Sequence, residues 1–274
     1  MLPFVRDLGH PVPPFDFEVT GVTSMSVDLH KYGYAPEGAS VVLYRDASLR
    51  RHQYFACTDW PGGIYVSPTM TGTRPGGAIA AAWAILNRLG YEGYKEIARE
   101  VMGATARLRT GAEQIPGLRV LGRPHMSVFA IAGDDVDIYE VGDRMTELGW
   151  HLDRQQSPPS LHMTVNRAHV GVVDSFLGDL KDAVKASRKE PLDRWLDRSK
   201  VEAAAAVMRV LPARVASKLT EIASKRGGMS GAELARKTAP MYGLMSALPN
   251  RGDLHALVID ALDRMTRPDS PGNR

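Results

Sequence analysis

Thr71-Gly72-Thr73-Arg74-Pro75-Gly76-Gly77 runs directly into Ala78-Ile79-Ala80-Ala81-Ala82-Trp83-Ala84-Ile85-Leu86. The first segment is a glycine-rich loop and the second is apolar on nearly every helical face. A helix apolar all round has to be covered on several sides, so the pattern predicts a buried helix ending at Gly90 inside a layered fold. From about 91 to 112 the helical signal continues but becomes amphipathic and charged, with Lys95, Glu96, Arg99 and Glu100. That stretch is long enough to join two domains.

On the N-terminal side, a short apolar segment precedes Pro11, Pro13 and Pro14. Each proline fixes its own φ and disfavours helix at its predecessor, so residues up to about 20 read as an extended connector. Residues 22–29 are β-rich and roughly alternating. Ser40-Val41-Val42-Leu43-Tyr44-Arg45 reads as a buried strand, and the loop between them makes a strand–loop–strand hairpin. Residues 46–70 are mixed, with a turn at Pro61-Gly62-Gly63. After Pro116-Gly117 the pattern predicts strands at 118–122 and 126–132, a helix at 135–148, a strand at 161–165 and a helix at 170–188, a small α/β sandwich. From 193 to 266 only helical signals remain, followed by a tail expected to be disordered. The expected domains are therefore 1–112, 113–190 and a helical extension at 191–274.

Composition excludes several classes. The 274 residues carry 34 Lys plus Arg against 31 Asp plus Glu, a net charge of +3, with the two signs interleaved, which argues against nucleic acid as a partner. One cysteine, Cys57, rules out a disulfide framework or a cysteine-rich zinc site, and it is expected to be a small buried apolar residue. No apolar run reaches the length of a transmembrane segment, and Met1–Val5 followed by Arg6-Asp7 does not read as a signal peptide. A cytoplasmic location is the expectation. The histidines lack metal-ligand spacing, so no metal is expected.

The chemistry concentrates in Asp28-Leu29-His30-Lys31-Tyr32-Gly33-Tyr34. A lysine at a strand end, set among histidine, aromatics and glycine, is placed to act as an amine nucleophile if burial or a nearby cation lowers its pKa. Otherwise it is a solvated loop lysine. His30 is either a ligand for an anion or a structural strand-end residue. Asp28 reads as a structural carboxylate on the same face as His30. The Gly72-Thr73-Arg74 loop ahead of a helix N-terminus offers free N–H groups and a favourable dipole to an anion. Arg74 could meet a substrate anion or a neighbouring carboxylate. For Tyr32 and Tyr34, flanking the lysine, core packing is an alternative to contact with a substrate.

These motifs resemble those of the pyridoxal-phosphate-dependent decarboxylases and lyases of fold type I, most closely the sphingosine-1-phosphate lyases. The resemblance rests on Gly9-His10-Pro11-Val12-Pro13-Pro14-Phe15-Asp16-Phe17, on His30-Lys31-Tyr32-Gly33-Tyr34-Ala35-Pro36, on Ser40–Arg45, on Tyr65-Val66-Ser67-Pro68-Thr69 and on Gly72–Gly76. It weakens after about 120 and persists faintly to Pro240-Met241-Tyr242-Gly243-Leu244. It implies an α/β fold comprising the C-terminal part of a fold type I enzyme: the end of the large domain, a small α/β domain and a helical tail. It implies pyridoxal 5'-phosphate as cofactor, Lys31 as the residue that bonds it, His30 as a residue that helps hold its phosphate, and Gly72 and Thr73 as residues that reach the cofactor phosphate of the neighbouring subunit in a dimer. Tyr34 and Arg74 fall to the substrate. The activity implied is retro-aldol cleavage of a phosphorylated long-chain amino alcohol to a fatty aldehyde and phosphoethanolamine. The family also implies a homodimer.

Two departures qualify the expectation. The family's Ala-Pro-Lys-Gly stretch is Ala35-Pro36-Glu37-Gly38 here, a charge reversal unfavourable to an anionic substrate. The residues that stack on the cofactor ring and pair with its nitrogen lie upstream of the lysine in the family, so the chain is expected to lack that N-terminal part, to bind cofactor weakly and to turn over little by itself. An amino-acid decarboxylase of the same fold, and a non-catalytic truncated product or subunit, are the alternatives.

Overall fold

The computed structural model describes residues 1–188. The expected helical extension and tail, and the faint resemblance at Pro240–Leu244, lie outside the described residues. Backbone contacts divide the chain into two units. One holds Met1–Thr105 with His125–Ser127 and Val165–Val170, and the other holds Ala106–Pro124, Val128–Thr164 and the chain from Gly171.

The first unit opens with a helix, α1 (Leu2–Asp7), where an extended connector was expected. Pro3 sits in the first turn, where its missing N–H costs nothing, and the apolar spacing turns Val5 inward. Val5 is buried against Ala98 and Met102, with Phe4, Leu8, Val12 and Met126 around them. Phe4 lies between Tyr91 and Tyr94, at ring-centroid distances of 5.3 and 5.4 Å. The hairpin forms as read. β1 (Ser24–Asp28) and β2 (Ser40–Tyr44) pair antiparallel, with Asp28 opposite Ser40 and Ser24 opposite Tyr44. Arg45 ties its open end to the preceding loop, donating to the carbonyls of Phe17, Val19 and Val22.

A short helix α2 (Ala47–Arg50), N-capped by Asp46, leads to a second hairpin of β3 (Phe55–Cys57) and β4 (Tyr65–Ser67). These strands carry only three residues each, too few for alternation to show in sequence. α3 (Gly76–Glu113) follows and is broken at Gly90, whose φ of 57° only glycine adopts freely. The helix start and the break agree with the sequence pattern.

Three expectations of burial fail. Ile79, Trp83 and Leu86 of α3 are exposed, Trp83 by 67%. Val41, Val42 and Leu43 of β2 are exposed as well, Val42 by 53%. A hairpin of two strands has no second sheet layer to cover it, and apolar composition cannot supply one. Cys57 is half-exposed, with its Sγ 3.4 Å from Asp59 Oδ1.

The second unit is the small α/β layer the sequence predicts, with one strand added. β5 (Leu118–Val120), β6 (Val128–Gly133), β7 (Asp153–Gln156) and β8 (Pro159–Thr164) form an antiparallel sheet in the order β5-β6-β8-β7. β7 reads Asp-Arg-Gln-Gln, an edge strand with no apolar residue to betray it. α4 (Ile138–Glu147) is capped by the Asp137 carboxylate, which accepts from Tyr139 N and Glu140 N. Together with α5 (Val173–Ala186) it supplies the helical layer. Ile131 and Leu161 of the central strands are fully buried, as are Val141 and Met145 of α4 and Leu180 of α5. Each such side chain contributes about 1.5–3 kcal/mol through removal from water. Arg154 donates to Asp143 at 2.6 Å, both nearly buried. Among the described residues no helix is long and apolar enough to cross a membrane, and no cluster of three His, Cys, Asp or Glu could hold a metal.

Candidate active site

β1 ends at Asp28, and the chain then closes a tight turn over residues 29–35 that carries the lysine. Lys31 N donates to Asp28 O, Tyr34 N to Lys31 O, and Ala35 N to Leu29 O. Gly33 is required: a Cβ there would stand 2.4 Å from the Leu29 carbonyl oxygen. Tyr34 takes a φ of 57°, a left-handed conformation rare for a residue with a side chain.

Lys31 projects from this turn with its side chain 65% exposed and its Nζ 2.8 Å from Asp28 Oδ2. Ser40 Oγ donates to the other oxygen of Asp28 at 3.0 Å. The Lys31 hydrogen bond, then that of Ser40, holds the Asp28 carboxyl below its usual pKa. The hydrogen bond to Asp28 and its charge hold the Lys31 ammonium above its usual pKa. The burial or cationic neighbour that would lower it, as the sequence argument required, is not what surrounds Lys31; a carboxylate is. Asp28 is thus the ion-pair partner of Lys31, and the (i, i+3) spacing across the strand end was the signal of that contact.

His30 is half-buried, and its Nδ1 is buried with no hydrogen-bond partner among the described residues. A buried polar atom left unpaired is costly, which makes it a natural place for a ligand atom. Tyr32 Oη lies 2.8 Å from Ser127 Oγ, and Tyr34 Oη accepts from Arg167 N at 3.3 Å. The Tyr34 hydroxyl therefore keeps its own proton to donate, and burial raises its pKa.

The second motif reaches the first through Gly38. A Cβ at Gly38 would stand 3.1 Å from the Cβ of Ala78, so the first turn of α3 abuts the far end of the lysine loop. Gly72, with a φ of 63°, and Thr73 and Arg74 are exposed ahead of that turn. Cβ atoms built at Gly72, Gly76 and Gly77 would meet nothing within 4 Å, so the backbone there is open to approach. Glu37 is exposed on the same loop as Lys31. Sequence reasoning missed Ser127 and Tyr94, the groups that hold the turn from 95 and 61 residues away.

No family model matches the chain. It is 42% identical over 263 residues to the sphingosine-1-phosphate lyase of Oryza sativa subsp. japonica, covering 96% of this chain and 41% of that protein. Among solved structures it resembles the sphingosine-1-phosphate lyase of Burkholderia pseudomallei K96243, with 46% identity, a TM-score of 0.66, and coverage of 73% of this chain and 46% of that one. The glutamate decarboxylase of Lactobacillus brevis shares the fold at 20% identity, with a TM-score of 0.56 over 68% of this chain and 45% of that one.

Proposed function

The chain is homologous to the sphingosine-1-phosphate lyases, enzymes of the pyridoxal-phosphate-dependent fold type I class, over about two fifths of their length, and from that premise we propose that it carries the lysine-bearing part of a carbon–carbon lyase site. The observation that carries this reading is the 42% identity to a lyase over nearly the whole chain, Lys31 turn included.

The residues present fit pyridoxal phosphate: an accessible amine, a buried imidazole nitrogen without a partner among the described residues, and an open backbone ahead of a helix. When bound, the cofactor supplies an electron sink for cleavage at the substrate's Cα. Lys31 would hold it through Nζ and could carry a proton at that atom, with Asp28 as the resting partner of its charge. His30 would help hold the cofactor's phosphate, and the backbone of Gly72 and Thr73 would reach the phosphate of the cofactor in the neighbouring subunit of a dimer. Tyr34 donates its hydroxyl proton to a polar group of the substrate, and Arg74 pairs with the substrate's anion. The substrate class is a phosphorylated long-chain amino alcohol, released as a fatty aldehyde and phosphoethanolamine. Free Cys57 fits a reducing compartment such as the cytoplasm.

Incubation of the chain with pyridoxal phosphate and a phosphorylated sphingoid base is expected to release a long-chain aldehyde, slowly, since the chain spans about two fifths of the lyases it matches. Carbon dioxide released from glutamate or an aromatic amino acid would instead establish an amino-acid decarboxylase, the reading that Glu37 favours by its charge. The absence of both products, even on long incubation, would refute the lyase.

The assembly proposed is a homodimer. Phe55, Trp60, Ile64, Tyr65, Val66 and Trp83 are all exposed, an apolar concentration that a second copy would cover. Sedimentation at micromolar concentration is expected to show a dimer that Trp60→Ser with Trp83→Ser shifts toward monomer. A wild-type monomer overturns this part.

A further inference from the structure

We propose that Tyr32, Ser127 and Tyr94 form a clamp that positions Lys31, an inference that rests on the lyase reading above. The turn at 29–35 has three backbone hydrogen bonds of its own and a left-handed residue at Tyr34. A turn containing a conformation that residues with side chains rarely adopt persists only when its surroundings impose it.

Two hydroxyl contacts supply that constraint from remote parts of the chain. Tyr94 Oη, from α3, donates to the Gly33 carbonyl at 2.7 Å, and Tyr32 Oη shares a hydrogen bond with Ser127 Oγ at 2.8 Å. Ser127 is fully buried, and its carbonyl accepts from Val165 N at 2.8 Å, so the anchor is itself held by backbone. Burial raises the Tyr94 pKa, which keeps that hydroxyl protonated and donating. The contacts fall on residues 32 and 33, immediately after Lys31, so they set where its Cα stands and where its amine can reach. None of the three side chains touches the amine itself; they are positioning residues.

The test uses the full chain with Tyr32→Phe, Ser127→Ala, their double variant, Tyr94→Phe and Ser127→Thr. Pyridoxal phosphate is added, the adducts are fixed with borohydride, and labelling of Lys31 is read by mass spectrometry against Lys185 as internal reference. Labelling of Lys31 relative to Lys185 is expected to fall about three- to tenfold in Tyr32→Phe, Ser127→Ala and Tyr94→Phe, the size of one hydrogen bond. Amide exchange over residues 29–35 should quicken by a similar factor. The double variant should be no worse than the lower single, since both remove one interaction, and Ser127→Thr, which keeps a hydroxyl, should restore the ratio. Unchanged exchange in the variants, or additive losses in the double, overturns the clamp. If wild-type Lys31 labels no faster than Lys185, the cofactor role of Lys31 fails, and the exchange measurement decides the clamp alone.

Discussion

Replacing Lys31 with alanine is expected to abolish the fixed pyridoxal phosphate adduct at position 31, leaving only the slower labelling of lysines such as Lys185, and to lower aldehyde release by about 10²–10⁴, the range lost with a positioned proton-transfer group. The expectation follows from its placement. Lys31 is the amine that projects from the turn closing β1, next in sequence to His30, whose buried Nδ1 has no partner among the described residues, and on a loop whose far end meets the start of α3. Asp28→Asn is the companion measurement. Asp28 favours the charged ammonium, and only the neutral amine attacks an aldehyde. Removing the carboxylate therefore lowers the Lys31 pKa, so the pH profile of adduct formation should move to lower pH and the rate at neutral pH should rise. An adduct that survives undiminished in Lys31→Ala would end the assignment of this residue. A profile unmoved in Asp28→Asn would end the account of its electrostatics.

Leu161→Ala is expected to destabilise the second unit by about 2–5 kcal/mol, read as a lower denaturant midpoint. Leu161 is fully buried in β8, paired with Ile131 of β6 on one side and Arg154 of β7 on the other. A Cβ at Gly142 of α4 would stand 2.9 Å from its Cδ2, so the helix sits directly on this side chain. Truncation leaves a cavity at the junction of sheet and helix that neither can close without moving backbone. A cost below about 1 kcal/mol would mean that the layer collapses around the gap and that Leu161 is not central to it.

Much of the second unit was legible in sequence because its apolar residues recur at the periods of strand and helix. Ile131 and Leu161 lie on strands read from their pattern, and Val141 and Leu180 on helices read the same way. β7 was missed because an edge strand buries little and so writes no apolar signal. α1 was hidden behind the prolines that follow it. In the site, His30, Lys31 and the Gly72–Arg74 loop stood out by residue type. Their resemblance to a known enzyme class is matched by homologues that are 37–42% identical over nearly the whole chain.

Sequence alone determined the hairpin around Lys31, the break in α3 at Gly90 and the α/β character of the second unit, while the cofactor class was implied by a family resemblance. Each follows from local chemistry: turn residues, periodicity, or a motif short enough to be contiguous. Tertiary structure decided the rest. It paired Lys31 with Asp28, left His30 Nδ1 without a partner among the described residues, brought Ser127 and Tyr94 to the lysine turn, and exposed Trp83 and Val42 on elements whose composition predicts burial. The reason is the same in every case. Burial, pKa and hydrogen-bond partnership depend on what lies across a gap in space, and apolar composition states only that a surface needs cover, never what supplies it.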